Sequence, residues 1–124
     1  MTTCVVGLGK IGLPLAVQIA IKGEHVIGAD INNLVVEQIN SAQVPFPGES
    51  KLPELLKEVV DSGYLVASTN TKEAVSQADY VIVVVPVIVD ESADPDFSAI
   101  DSATRDIAGG LTSGTLVCYE TTLP

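Results

Sequence analysis

Short apolar runs alternate with helical stripes along this chain, and the alternation predicts its elements. Cys4, Val5 and Val6 are all apolar, as expected of a strand buried on both faces. From Ile11 to Lys22 the apolar residues recur at helical spacing. Ile11, Leu15 and Ile19, with Ala16 and Ala20, form the expected buried stripe. Pro14 lies in the first turn, where a missing N–H costs little, and Gly23 is placed to end the helix. His25 to Ala29 predicts a second strand. Asn32 is placed to cap a helix running to Asn40, with Leu34, Val35 and Ile39 inward. Ser41 to Lys51, with Pro45, Phe46, Pro47 and Gly48, is too long and proline-rich for a plain turn and predicts a covering loop. Leu52 to Ser62 reads as a helix with Leu52, Leu55, Leu56 and Val59 on one side, ended by Gly63. Leu65 to Ser68 follows as a short strand, and Thr71 caps a brief helix to Gln77 with Glu73 in its first turn. Tyr80 to Val85 is the clearest fully buried strand, stopped by Pro86. Val87 to Asp96 predicts a polar, acidic loop. Phe97, Ile100, Ala103, Ile107 and Leu111 then mark a helix that Gly109 and Gly110 terminate. Thr115 to Tyr119 is the fifth strand, and Glu120-Thr121-Thr122-Leu123-Pro124 closes the chain.

Strands alternating with helices imply an α/β fold with a parallel sheet and right-handed crossovers. The expected architecture is a Rossmann-type doubly wound sheet of order 3-2-1-4-5, its crevice where strands one and four diverge. A length of 124 residues suits one domain. The chain is expected to stop before the sixth strand of this sheet type, as a piece of a longer protein.

Composition narrows the function. The apolar fraction of 47% suits strands covered on both sides. No apolar run approaches the roughly 18 residues of a membrane helix, and the N-terminus reads as a strand and glycine turn, not a signal peptide. A cytoplasmic protein without membrane contact is expected. The net charge of −10 argues against a nucleic-acid partner, whose phosphates need clustered Lys and Arg. Cys4 and Cys118 both lie in strand-like runs and read as buried thiols. His25 is the only histidine and has no second ligand in view, so no metal site is expected.

The candidate chemistry lies between the first strand and the first helix. Gly7, Gly9 and Gly12 stand at G-x-G-x-x-G spacing. The first glycine permits the tight turn, the second lets backbone approach a pyrophosphate, and the third allows close helix packing. The free N–H groups and the positive end of the helix dipole would face the anion. Asp30 ends the second strand, about 20 residues on, where a carboxylate binds both ribose hydroxyls and repels a 2′-phosphate. No arginine follows it, so NAD is expected rather than NADP. A glycine-rich turn beside an ordinary solvated aspartate is the alternative.

Four stretches together resemble one family. They are Val6-Gly7-Leu8-Gly9-Lys10-Ile11-Gly12-Leu13-Pro14-Leu15-Ala16, Ala29-Asp30-Ile31-Asn32, Ala78-Asp79-Tyr80 running to Val85-Pro86, and Tyr119-Glu120-Thr121-Thr122-Leu123-Pro124. Across all of its length the chain is similar to the N-terminal NAD-binding domain of the UDP-glucose/GDP-mannose dehydrogenases. The resemblance implies oxidation of C6 of a UDP- or GDP-linked sugar to a carboxylate, with two NAD molecules and a cysteine thioester. It implies that Gly7, Gly9 and Gly12 hold the pyrophosphate, that Lys10 and Ile11 supply backbone N–H groups, and that Asp30 holds the adenine ribose. Val85 and Pro86 fall at the cofactor end of strand four. Thr122 falls where the family places a threonine beside the nicotinamide that helps position a catalytic water; by itself it is equally a turn-capping residue.

Two departures stand out. Val87 replaces a threonine that often touches NAD, and Val35 replaces a basic residue that some members carry. Val85-Pro86 and Asp94-Pro95-Asp96 lean toward the UDP-N-acetylhexosamine branch rather than UDP-glucose. The family's thioester cysteine and sugar-binding residues belong to a central helix and C-terminal domain, which the resemblance places outside these residues. The parent protein is expected to be a homodimer through that central helix. Two other functions fit the fingerprint: a non-catalytic dinucleotide-sensing regulatory domain, and the NAD-binding half of another β-hydroxyacid-type dehydrogenase.

Overall fold

Apolar side chains on both faces of the central strands pull helices onto both sides of one sheet. The computed structural model describes residues 1–48, 50–85, 88, 89 and 95–120. The order is β1 (Thr2–Val6), α1 (Gly12–Ile21), β2 (His25–Ala29), α2 (Asn33–Asn40), α3 (Leu52–Asp61), β3 (Leu65–Ser68), α4 (Thr71–Ser76), β4 (Tyr80–Val83), β5 (Ile88–Val89), β6 (Pro95–Asp96), α5 (Ser98–Gly110) and β7 (Leu116–Tyr119). Among the described residues five parallel strands form one sheet in the order β3-β2-β1-β4-β7. This is the expected 3-2-1-4-5 arrangement, with β7 as its fifth strand. The acidic stretch before α5 is not all loop, because β5 and β6 pair there as a small antiparallel ribbon.

Alternate residues of β1 serve two cores. Val5 joins Leu8, Leu13, Val17, Ile39, Leu56 and others under α1, α2 and α3. Cys4 and Val6 join Val75, Val81, Val83 and Ile107 under α4 and α5. Each fully buried Leu or Val contributes about 1.5–3 kcal/mol relative to exposure. Val44 and Phe46 pack against the first core, so the proline-rich loop covers it as expected.

Several local expectations are corrected. The buried face of α1 is Gly12, Leu13, Ala16, Val17 and Ala20, while Ile11 is 66% exposed. The segment is apolar nearly all round, so periodicity could not set its rotation; close packing at Gly12 does. In α2, Val36 and Ile39 are buried and Leu34 is 69% exposed. That rotation is held by Asn40, whose amide donates to the Ala67 carbonyl and accepts the Ala67 N–H, both at 2.9 Å. Asn70, not Thr71, caps α4: its side chain accepts the Glu73 N–H at 3.1 Å, and Thr71 is buried in the first turn. In β4 only Val81 and Val83 are buried, and Tyr80 is exposed. α5 ends at Gly110, where the glycine pair was expected to terminate it. A Cβ on Gly110 would strike the Lys72 carbonyl, so glycine there lets α5 lie against α4. Cys118 is exposed, since β7 is an edge strand of the described sheet.

Candidate dinucleotide site

The site is built at the C-terminal ends of β1, β2 and β4. Gly7 leaves β1 with φ +98°, a conformation costly for any other residue, and its N–H donates to the Ala29 carbonyl at 2.8 Å. A Cβ on Gly7 would sit 2.8 Å from the Val84 carbonyl oxygen, so the turn presses against the end of β4. A Cβ on Gly12 would run into the Gly7 carbonyl, which seats α1 directly on the turn. Gly9 is the opposite case: nothing lies within 4 Å of the position its Cβ would take. The backbone there is bare on the side a ligand would approach.

The N–H groups tell the same story. Leu13 donates to Gly9 and Leu15 to Ile11, and Pro14 has no N–H to satisfy. The N–H groups of Gly9, Lys10, Ile11 and Gly12 make no hydrogen bond among the described residues. A row of unpaired donors at a helix N-terminus, with the helix dipole behind it, is suited to a phosphate.

Asp30 is joined to that turn. One carboxylate oxygen accepts the Leu8 N–H and the other the Asn32 N–H, each at 2.9 Å. Asn32 in turn caps α2 through the Leu34 and Val35 N–H groups. The Asp30 carboxylate is thus fixed between the glycine turn and the start of α2. Each oxygen keeps a further lone pair for a sugar hydroxyl.

Beside Asp30 opens a cavity of about 240 Å³ on the α4–α5 side of the sheet. Val6, Gly7, Ala29, Asp30 and Val85 line its inner side, and Ile31, Thr71 and the Ala99, Ser102, Ala103 and Asp106 face of α5 complete it. The structure thus brings together Gly7, Gly9, Lys10, Ile11, Gly12, Asp30 and Val85 at one end of the sheet. Pro86 and Thr122, like Val87, Asp94 and Glu49, lie outside the described residues. Glu120, at the head of the terminal motif, donates its N–H to the Val83 carbonyl at 2.9 Å, placing it beside the end of β4.

Some contributors were not foreseen. Ile31 reaches the cavity as the neighbour of Asp30, and Thr71 and the α5 residues through the chain's return across the sheet. Gly28 carried a readable signal, since a glycine inside a strand marks a close approach. A Cβ there would be 2.8 Å from both terminal methyls of Leu8, the buried residue whose N–H holds Asp30. His25 stacks on Tyr64 at 4.8 Å and is no ligand of this site. No group of three or more metal-binding side chains occurs among the described residues. None of their helices is long and apolar enough to cross a membrane.

The unpaired amides, the uncovered Gly9 and the anchored Asp30 all fit a dinucleotide, and with the sheet order they define a doubly wound dinucleotide-binding domain. The sequence pattern of the UDP-glucose/GDP-mannose dehydrogenase family, NAD binding domain, matches residues 1–124. The chain belongs to this family, and the cofactor of the domain is NAD. It is 39% identical over 123 residues to the UDP-N-acetyl-D-mannosamine dehydrogenase of Escherichia coli K12 and 40% identical over 123 residues to the NDP-N-acetyl-D-galactosaminuronic acid dehydrogenase of Ralstonia nicotianae. In both comparisons 99% of this chain aligns with 28% of the relative. The structure of UDP-D-ManNAc dehydrogenase from Pyrococcus horikoshii superposes with a TM-score of 0.92 at 34% identity, over 100% of this chain and 29% of that one.

Proposed function

We propose that these residues are the NAD-binding part of a nucleotide-sugar 6-dehydrogenase, which oxidises C6 of a UDP-sugar to the uronate. UDP-N-acetylhexosamine is favoured over UDP-glucose, on Val85-Pro86 and on the N-acetylated sugars in the relatives' names. The observation that carries the proposal is the Asp30 carboxylate, anchored 2.9 Å from the Leu8 N–H of the glycine turn. Gly7, Gly9, Lys10, Ile11 and Gly12 bind the pyrophosphate through backbone N–H groups, and Asp30 binds the adenine ribose. When bound, NAD accepts the hydride that leaves the sugar carbon. Val85 and Pro86 flank the cofactor at the end of β4, and Thr122 positions a water at the nicotinamide.

The nucleophile comes from elsewhere in the parent protein. A catalytic cysteine needs an accessible thiol with a lowered pKa. Burial pushes the Cys4 thiol up to about 12, and Cys118 does not line the cavity. The sugar-binding residues likewise lie outside residues 1–124, in a cytoplasmic homodimer.

Calorimetric titration of the purified chain tests the cofactor assignment. NAD binds, and NADP binds at least about tenfold more weakly, because its 2′-phosphate meets the Asp30 carboxylate. No NAD binding at millimolar concentration, or equal affinity for NADP, would overturn it. Mixed with NAD and a UDP-sugar, the chain alone produces no NADH; steady production would refute the division of labour.

A further inference from the structure

The geometry points to Asp106 as the residue that reads the 6-amino group of the adenine base, a role resting on the cavity being the NAD site. Asp30 and Asp106 line the same cavity, one from the end of β2 and the other from α5. Asp30 already accepts a backbone N–H on each oxygen, and its position at the glycine turn suits it to the ribose. The base attached to that ribose must then occupy the remainder of the cavity. At about 240 Å³ the space is too small for a whole dinucleotide and suits one base with part of its sugar.

The wall contributed by α5 has the chemistry for a flat heterocycle. Ala99, Ala103 and Asp106 are four and three residues apart, hence on one face of the helix. The two alanines leave room, and Val6, Ala29 and Val85 supply apolar surface from the sheet side. Asp106 makes no hydrogen bond or ion pair among the described residues, so both of its oxygens are available. A carboxylate can only accept. It pairs with a 6-amino group, which donates, and has no partner where hydrogen replaces that group. Asp106 therefore selects an adenine dinucleotide over one that lacks the 6-amino group, at an edge of the molecule remote from the reacting carbon.

Binding of NAD is compared with binding of nicotinamide purine dinucleotide, in which hydrogen replaces the 6-amino group and the ring nitrogens are unchanged. The wild-type chain should prefer NAD by about tenfold or more, the usual worth of one hydrogen bond to a charged group. Asp106→Ala should bind NAD about tenfold more weakly and hold the two dinucleotides within about twofold of each other. Asp106→Asn, whose amide oxygen still accepts but carries no charge, should keep a smaller preference for NAD. Circular dichroism should show both variants folded, since Asp106 is exposed and makes no internal bond. Equal binding of the two dinucleotides by wild type, or a preference that survives in Asp106→Ala, would overturn the assignment while leaving the NAD site intact. If wild type bound neither dinucleotide, the site itself would be wrong and the role of Asp106 would fall with it.

Discussion

Replacing Asp30 with alanine should damage stability and binding together, in amounts the structure allows to be worked out. The carboxylate accepts N–H groups from Leu8 and Asn32. Asn32 is exposed, so water replaces its lost partner. Leu8 is 1% exposed, and its N–H would face an emptied, partly buried space. A buried donor left without an acceptor costs about 1–3 kcal/mol. Unfolding entropy of about 2.1 cal/mol/K per residue amounts to roughly 0.26 kcal/mol/K for a chain of 124 residues. The melting temperature should therefore fall by about 4–12 °C. NAD affinity should fall by about 10- to 100-fold through loss of charge-assisted bonds to the ribose. Thermal unfolding followed by circular dichroism, with and without NAD, measures both effects. Asp30→Asn keeps one acceptor and should lose less stability, while its discrimination against NADP disappears. Unchanged melting and unchanged affinity in Asp30→Ala would refute both roles. A lowered melting temperature with normal NAD affinity would reduce Asp30 to a staple of the turn.

The three glycines of the fingerprint should respond differently to a methyl group. Gly9→Ala should melt within about 2 °C of wild type, because its Cβ meets nothing, yet bind NAD at least about tenfold more weakly. Gly12→Ala should lose about 1–3 kcal/mol or more, because its Cβ strikes the Gly7 carbonyl; equal melting temperatures for the two variants would show the packing account to be wrong. Alkaline pH should expose the buried thiol. The Cys4 thiol is raised from 9.0 to about 12 in the fold, so the unfolded chain releases its proton first. The contribution of Cys4 is constant below pH 9.0, and stability then declines by up to about 1.4 kcal/mol per pH unit until about pH 12. Urea denaturation of wild type and Cys4→Ala at pH 8 and pH 10 should show a steeper decline for wild type; parallel declines would contradict this.

The binding fingerprint was legible along the chain because its physics is local. Glycine is needed where φ is positive or a Cβ would collide, and both constraints act within a few residues of Gly7 and Gly12. Strand and helix alternation likewise follows from short-range periodicity, and it was enough to order the sheet. The inward face of α3 was legible too, but the rotation of α1 and α2 was not. Ile11 and Leu34, both expected inward, are exposed, so hydrophobicity alone pointed the wrong faces inward. Close packing of Gly12 on the glycine turn set the face of α1, and a contact distant in sequence, Asn40 on Ala67, set that of α2. The α5 side of the cavity, from Ala99 to Asp106, is likewise decided by contacts distant in sequence. Nothing in an exposed helical aspartate distinguishes it until the crossover from β4 carries α5 to the cavity that Asp30 also lines. Local sterics therefore wrote the glycine turn into the sequence, while the pocket beside it exists only where chain segments some seventy residues apart are packed together.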